Sequence, residues 1–143
     1  MDSSRSWTTG ELAQIDASAE LTIAAPRRDG GWRRAVPIWV VTVGDAVYVR
    51  TWRLRETGWY GAVRRAGRAR IGVPGVSAEV SVTDASGDDP ELRRSVDDAY
   101  RAKYGRPGDA TVSGVVTEDA AATTLRLTPF AVYPTPVSQP RPQ

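Results

Sequence analysis

The chain has 143 residues, 41% of them hydrophobic, a formal net charge of +2, and neither cysteine nor histidine. That length suits a single domain whose folding buries roughly two-thirds of its unfolded surface. The missing cysteines exclude disulfides, thiolate metal sites and cysteine nucleophiles, and the missing histidines exclude the commonest general base and metal ligand. Any chemistry therefore falls to carboxylates, tyrosines, arginines, Lys103, hydroxyls or a bound cofactor; no metal site is expected.

The predicted elements run as follows. Thr8-Thr9-Gly10-Glu11 reads as a capping box, with Thr8 as N-cap and Glu11 three residues on, so a short helix is expected through Asp16. Glu20–Ala24 alternates polar and apolar residues, the period of a strand. Asp29-Gly30-Gly31 signals a turn, and Trp32–Val43 is expected to form one long strand. Gly44-Asp45 is a two-residue hairpin turn leading into Ala46–Trp52. Residues 53–58 form a polar loop, and Trp59–Ala66 a short helix stopped by Gly67.

Two further strands, Arg68–Val73 and Ala78–Thr83, flank the turn Pro74-Gly75. Asp89-Pro90-Glu91 starts a helix: Asp caps, Pro sits in the first helical position and Glu lies in the first turn. Gly105 and Pro107 end it. Thr111–Val116 and Thr123–Val132 are the last predicted strands, and the proline-rich residues 134–143 read as a disordered tail. Short antiparallel strands joined by tight turns need closure to protect their edges. The expected fold is mainly β (α+β), a small antiparallel barrel of six or seven strands with two or three short helices, in one domain over residues 1–133.

Charge is unevenly spread. Residues 27–70 hold eleven arginines and three acids (Asp29, Asp45 and Glu56), a local balance of +8, while residues 79–119 hold ten acids and five bases. A basic half suggests an anionic ligand; solvated strand edges kept positive against aggregation are the plainer explanation. Within the basic half stand Arg50, Thr51, Arg53 and Arg55, then Trp59-Tyr60, then Arg64-Arg65. Guanidinium groups bind phosphate through paired hydrogen bonds, a helix start favours anions, and Trp and Tyr offer flat faces to a heteroaromatic ring. This grouping suits a phosphorylated aromatic cofactor, or else the aromatics pack in the core or a dimer contact and the arginines are solvated. By alternation, Thr51 and Arg53 share one face with Val49, whereas Arg50 shares the other with Tyr48 and Trp52.

The stretch Pro37–Thr51, then Gly58-Trp59-Tyr60, Gly67–Ile71 and the helix Ala99–Tyr104, resembles the flavin-binding split-barrel superfamily. That group includes pyridoxamine-phosphate-oxidase-like proteins and deazaflavin-dependent nitroreductases. The likeness spans about residues 7–133 and is nearest to the bacterial family called domain of unknown function 2255. It implies a split barrel, a cofactor held between subunits, and contacts from three places. These correspond to Arg33, Arg34 and Pro37 on the strand before the hairpin, Arg50, Thr51 and Arg53 at the end of its second strand, and Trp59 and Tyr60 at the helix. The implied activity is that of a flavin- or deazaflavin-dependent oxidoreductase acting on a small organic metabolite. In such enzymes the cofactor carries the hydride chemistry. Deazaflavin is favoured slightly over FMN by the positive charge of residues 27–70. Tyr48, Tyr60 and Tyr104 are candidate proton donors.

Two stretches, Arg27–Gly31 and Arg53–Gly58, depart from the deazaflavin pattern. They motivate a second reading, a non-redox barrel that binds a hydrophobic metabolite or shapes its reaction without a cofactor. Nucleic-acid binding needs a continuous basic face, and the acidic second half argues against it. Five Trp and five Tyr exceed the needs of one small core, so a homodimer is expected. Met1–Ser18 has no apolar run of the signal-peptide kind, and no segment approaches the ~20 apolar residues of a membrane helix, so a cytoplasmic location without membrane contact is expected.

Overall fold

The computed structural model describes residues 6–51, 58–85, 87, 89–105 and 118–134. Helix α1 (Thr9–Ala17) opens on the expected capping box: the Glu11 amide donates to Thr8 Oγ1 at 3.1 Å, and the Thr8 amide donates to Glu11 Oε1 at 2.9 Å. Strand β1 (Leu21–Ala24) follows, then β2 (Val36–Ile38), β3 (Val41–Val43) and β4 (Ala46–Val49). Helix α2 (Gly58–Ala66), strands β5 (Arg68–Val73) and β6 (Val76–Asp84), helix α3 (Pro90–Tyr104), the single turn α4 (Glu118–Ala121) and strand β7 (Leu125–Pro134) complete the order. The predicted strand Thr111–Val116 and the tail from residue 135 onward lie outside the described residues.

All seven strands form one antiparallel sheet in the order β2-β1-β5-β6-β7-β4-β3. The two end strands, β2 and β3, are consecutive in the chain and separated only by Trp39 and Val40. The sheet therefore curls until its ends meet at a two-residue gap: this is a split barrel.

That gap corrects the sequence reading, which expected one unbroken strand from Trp32 to Val43. Trp32 makes only an isolated bridge to Pro26, and the ladder is interrupted at Trp39-Val40. Helix α3 supplies what the missing ladder does not. The Val40 amide donates to the Tyr104 hydroxyl at 3.1 Å, which in turn donates to the Ala19 carbonyl at 2.7 Å. Lys103 Nζ donates to the Val40 carbonyl at 2.9 Å, and Trp39 stacks on Tyr104 with centroids 4.0 Å apart and planes 3° from parallel. Buried backbone groups require partners, and here two side chains from the end of α3 provide them at the split.

The remaining turns follow local chemistry. Gly44 has φ +61°, as the first central position of the predicted hairpin turn requires. Gly67, at φ +72°, ends α2 and begins β5. Asp89 caps α3 through its bond from the Glu91 amide, 2.9 Å, with Pro90 in the first helical position.

Two apolar clusters result. Inside the barrel lie Leu21, Ile23, Val47, Val49, Val63, Ala69, Val80 and Leu125, in one cluster with Ile15 of α1 and Trp7 just before it. Outside it, between the β3–β4 hairpin and α3, lie Val41, Ala46, Tyr48, Val96 and Tyr100. Full burial of each Val, Leu or Ile side chain contributes about 1.5–3 kcal/mol, so the barrel interior holds the larger share of the folding energy.

Candidate functional site

Helix α2 presents Trp59, Ala62 and Arg65 at three-residue spacing, on one face. That face borders a cleft of about 560 Å³ together with Gly58, Ala25, Val36, Arg33 and Arg34. Its lining combines apolar and aromatic surface with three guanidinium groups, and among the described residues that border it there is no carboxylate. Gly58, with φ +67°, begins the helix and borders the cleft, so the N-terminal end of α2, the positive end of its dipole, lies at the cleft wall. The volume lies within the ~300–1,000 Å³ of small-molecule sites.

Arg33 and Arg34 also wall an adjoining groove of about 530 Å³ with Arg27, Arg28 and Asp29. The loop between β1 and β2 shapes it. The Arg27 amide donates to the Gly31 carbonyl (2.8 Å), the Arg33 amide donates to the Ala25 carbonyl (2.8 Å), and Gly30 adopts φ +93°. Because 33–35 is not a regular strand, neighbouring Arg33 and Arg34 both reach the same cleft.

Of the residues singled out from the sequence, the cleft brings together Arg33, Arg34, Trp59 and Arg65. Tyr60 is buried in the barrel interior, edge-on to Trp59 with centroids 5.8 Å apart. Pro37 pairs with Thr22 on edge strand β2 and is exposed, and alternation gives its neighbour Val36 the cleft-facing position. Arg53 and Arg55 lie outside the described residues.

Arg50 and Thr51 are placed elsewhere. The Arg50 side chain is 0% exposed; it faces α3, bonding Asp97 Oδ1 through Nη1 and Thr124 Oγ1 through Nε at 2.9 Å. Its guanidinium lies 5.7 Å from the Tyr100 ring centroid. Thr51 is held by Thr123, whose hydroxyl accepts from the Thr51 amide (3.0 Å) and lies 2.9 Å from the Thr51 carbonyl. Alternation along β4 did put Arg50 opposite Val49, but the acid that draws it inward, Asp97, sits 47 residues away and no local pattern identifies it.

The candidate proton donors do not line the cleft either. Tyr48 is buried in the outer cluster, with Arg126 5.7 Å from its ring centroid. Tyr104 is engaged at the split, where burial pushes its hydroxyl up to about 12. Tyr100, fully buried, is pushed well above the ordinary tyrosine range by desolvation, with Arg50 opposing. Beside Tyr104, burial lowers the pKa of Lys103, and the Asp16 carboxylate partly restores it.

The cleft residues that sequence reading did not single out are Ala25, Val36, Gly58 and Ala62. Helical spacing from Trp59 was the available signal for Ala62, and it also separates Arg65 from its neighbour in the Arg64-Arg65 pair. Arg65 lies six residues after Trp59, on its face, whereas Arg64 turns away to Asp84 at 3.2 Å. Among the described residues no group of three or more His, Cys, Asp or Glu is placed to hold a metal ion, and no helix is long and apolar enough to cross a membrane.

Similar folds occur among solved structures. The heme storage protein HutZ of Vibrio cholerae superposes with a TM-score of 0.66 at 9% identity, covering 88% of this chain and 93% of its own. An FMN-binding protein from Syntrophomonas wolfei gives 0.58 at 11% identity, covering 90% and 85%. A conserved hypothetical protein from Mycobacterium tuberculosis gives 0.57 at 15%, covering 92% and 84%. At these identities the likeness is one of fold. No curated protein matches the sequence. The family model described as "Uncharacterized protein conserved in bacteria (DUF2255)" matches residues 11–127, and the chain belongs to that family.

Proposed function

We propose that the cleft between α2 and the Arg33–Val36 segment binds a phosphorylated, flat heteroaromatic cofactor of the flavin type, FMN or a deazaflavin, and that the protein is an oxidoreductase acting on a small organic molecule. The carrying observation is the arrangement of one cleft: Trp59, Ala62 and Val36 offer apolar surface beside Arg33, Arg34 and Arg65. A flat ring stacks on the first set, and guanidinium groups hold a phosphate on the second. The start of α2 at Gly58 adds amide donors and the positive end of the helix dipole. When bound, such a cofactor supplies two-electron hydride chemistry. This chain's residues orient the ring and neutralise the phosphate, and that work needs neither histidine nor cysteine.

The fold also occurs in heme proteins, but the composition favours a flavin. The chain has no histidine or cysteine, and its single methionine is Met1. Among the described side chains, Tyr48, Tyr60, Tyr100 and Tyr104 do not border the cleft, so none of them offers a heme iron an axial ligand there. A homodimer is part of the same proposal, since Trp32, Trp39 and Trp59 are only half-buried in the single chain.

Titration of the purified protein with FMN and with a deazaflavin, followed by tryptophan fluorescence, tests the reading. A Kd below about 100 µM, roughly 5–6 kcal/mol, is expected for at least one of them. Absence of binding to both refutes it.

A further inference from the structure

The cleft and the groove meet at Arg33 and Arg34 but differ in chemistry. The cleft has an aromatic and aliphatic floor; among the described residues the groove is bordered by Arg27, Arg28, Asp29, Arg33 and Arg34. Its one acid does little to neutralise it. Asp29 Oδ1 accepts the Gly31 amide at 2.9 Å, and Oδ2 lies 3.5 Å from Arg27, so the carboxylate is engaged within its own loop. Arg28, Arg33 and Arg34 are exposed and make no ion pair among the described residues. A ring carrying one phosphate uses the cleft and its rim. The groove beyond the shared arginines then retains positive charge of its own, directly beside the ring site.

Resting on the cofactor reading above, we propose that this groove holds the anionic group of the substrate, a carboxylate or a phosphate monoester. The protein then acts on small organic anions rather than on neutral molecules. Several guanidinium groups around one groove suit this, because each presents a planar fork of donors matched to an oxyanion. An apolar, uncharged substrate would leave the groove solvated and gain nothing from it. Arg28 is the discriminating residue: it borders the groove and not the cleft. Its side chain is exposed and makes no ion pair or hydrogen bond among the described residues whose loss would disturb the loop.

The test is calorimetric titration of the FMN-loaded protein with benzoate, phenyl phosphate and neutral benzamide, in wild type and Arg28→Gln. Benzoate or phenyl phosphate is expected to bind about tenfold more tightly than benzamide, and the substitution should remove most of that preference while FMN affinity stays unchanged. The two anions separate a carboxylate site from a phosphate site. Equal binding of benzamide and both anions overturns the proposal. So does an Arg28→Gln variant that loses FMN or deazaflavin affinity in parallel, which assigns the groove to the cofactor. If FMN does not bind but the cofactor-free chain takes benzoate in an Arg28-dependent way, the cofactor reading fails and the anion site stands.

Discussion

Replacing Asp97 with alanine should destabilise the protein severely while leaving the cleft intact. The Arg50 side chain is 0% exposed and that of Asp97 12%, so the pair is largely withdrawn from water. Once the carboxylate is gone, the guanidinium keeps the Thr124 hydroxyl at 2.9 Å and the nearby Tyr100 ring but loses the Asp97 charge. Breaking a buried ion pair by removing one partner costs about 3–5 kcal/mol. The second cation near Asp97, Arg93 at 3.9 Å, is 41% exposed and adds little. Against a typical net stability of about 5–15 kcal/mol the loss is large. At about 2–4 °C per kcal/mol for a chain near this length, Tm should fall by roughly 6–20 °C. Urea and thermal unfolding followed by circular dichroism measure it. The double variant Arg50→Met/Asp97→Leu removes both charges and should recover to within about 1 kcal/mol of wild type. A single variant that loses less than about 1 kcal/mol, or a double variant no better than the single, would refute the assignment of Arg50 to a structural pair.

Four further outcomes follow from the same geometry. Arg34→Gln should weaken FMN binding by about 1.5–3 kcal/mol, the range for hydrogen bonds to charged groups. It should shift stability by less than about 0.5 kcal/mol, as expected of an exposed side chain, so fluorescence titration and a thermal melt on one sample check both. Trp59→Leu keeps apolar bulk but loses the flat face, and should cost about 0.5–1.5 kcal/mol of FMN affinity in the same titration. Stability should fall as pH rises from 10 towards 12. The folded state holds the Tyr104 proton up to about 12 while the unfolded chain releases it near 10, so unfolding is favoured throughout that window. Buried Tyr100 acts in the same direction. Urea midpoints at stepped pH should show a shallower decline for Tyr104→Phe, and an unchanged slope would count against the burial of that hydroxyl. Light scattering at micromolar concentration should return the mass of a dimer; a monomer mass would remove the homodimer from the proposal.

What the sequence disclosed depended on the range of the forces involved. The capping box at Thr8 and Glu11, the Gly44-Asp45 turn and the Asp89-Pro90 helix start are local devices, and each lies where its spacing predicts. The break at Trp39-Val40 is not local. Val36–Val43 has the composition of one strand, and only Lys103 and Tyr104, more than sixty residues further on, allow the ladder to stop there without stranding the Val40 backbone. The arginines divide along the same line. From spacing alone Arg34 and Arg50 look equivalent, each near the end of a strand in a basic stretch. Their surroundings separate them: Arg50 meets a distant acid and becomes buried, whereas Arg34 meets none among the described residues and stays at the rim of an apolar cleft. A basic cluster in a sequence therefore marks where an anion is needed, while the fold decides whether the chain itself supplies that anion. Here Asp97 supplies it for Arg50, and under the proposed function a bound ligand supplies it for Arg33 and Arg34.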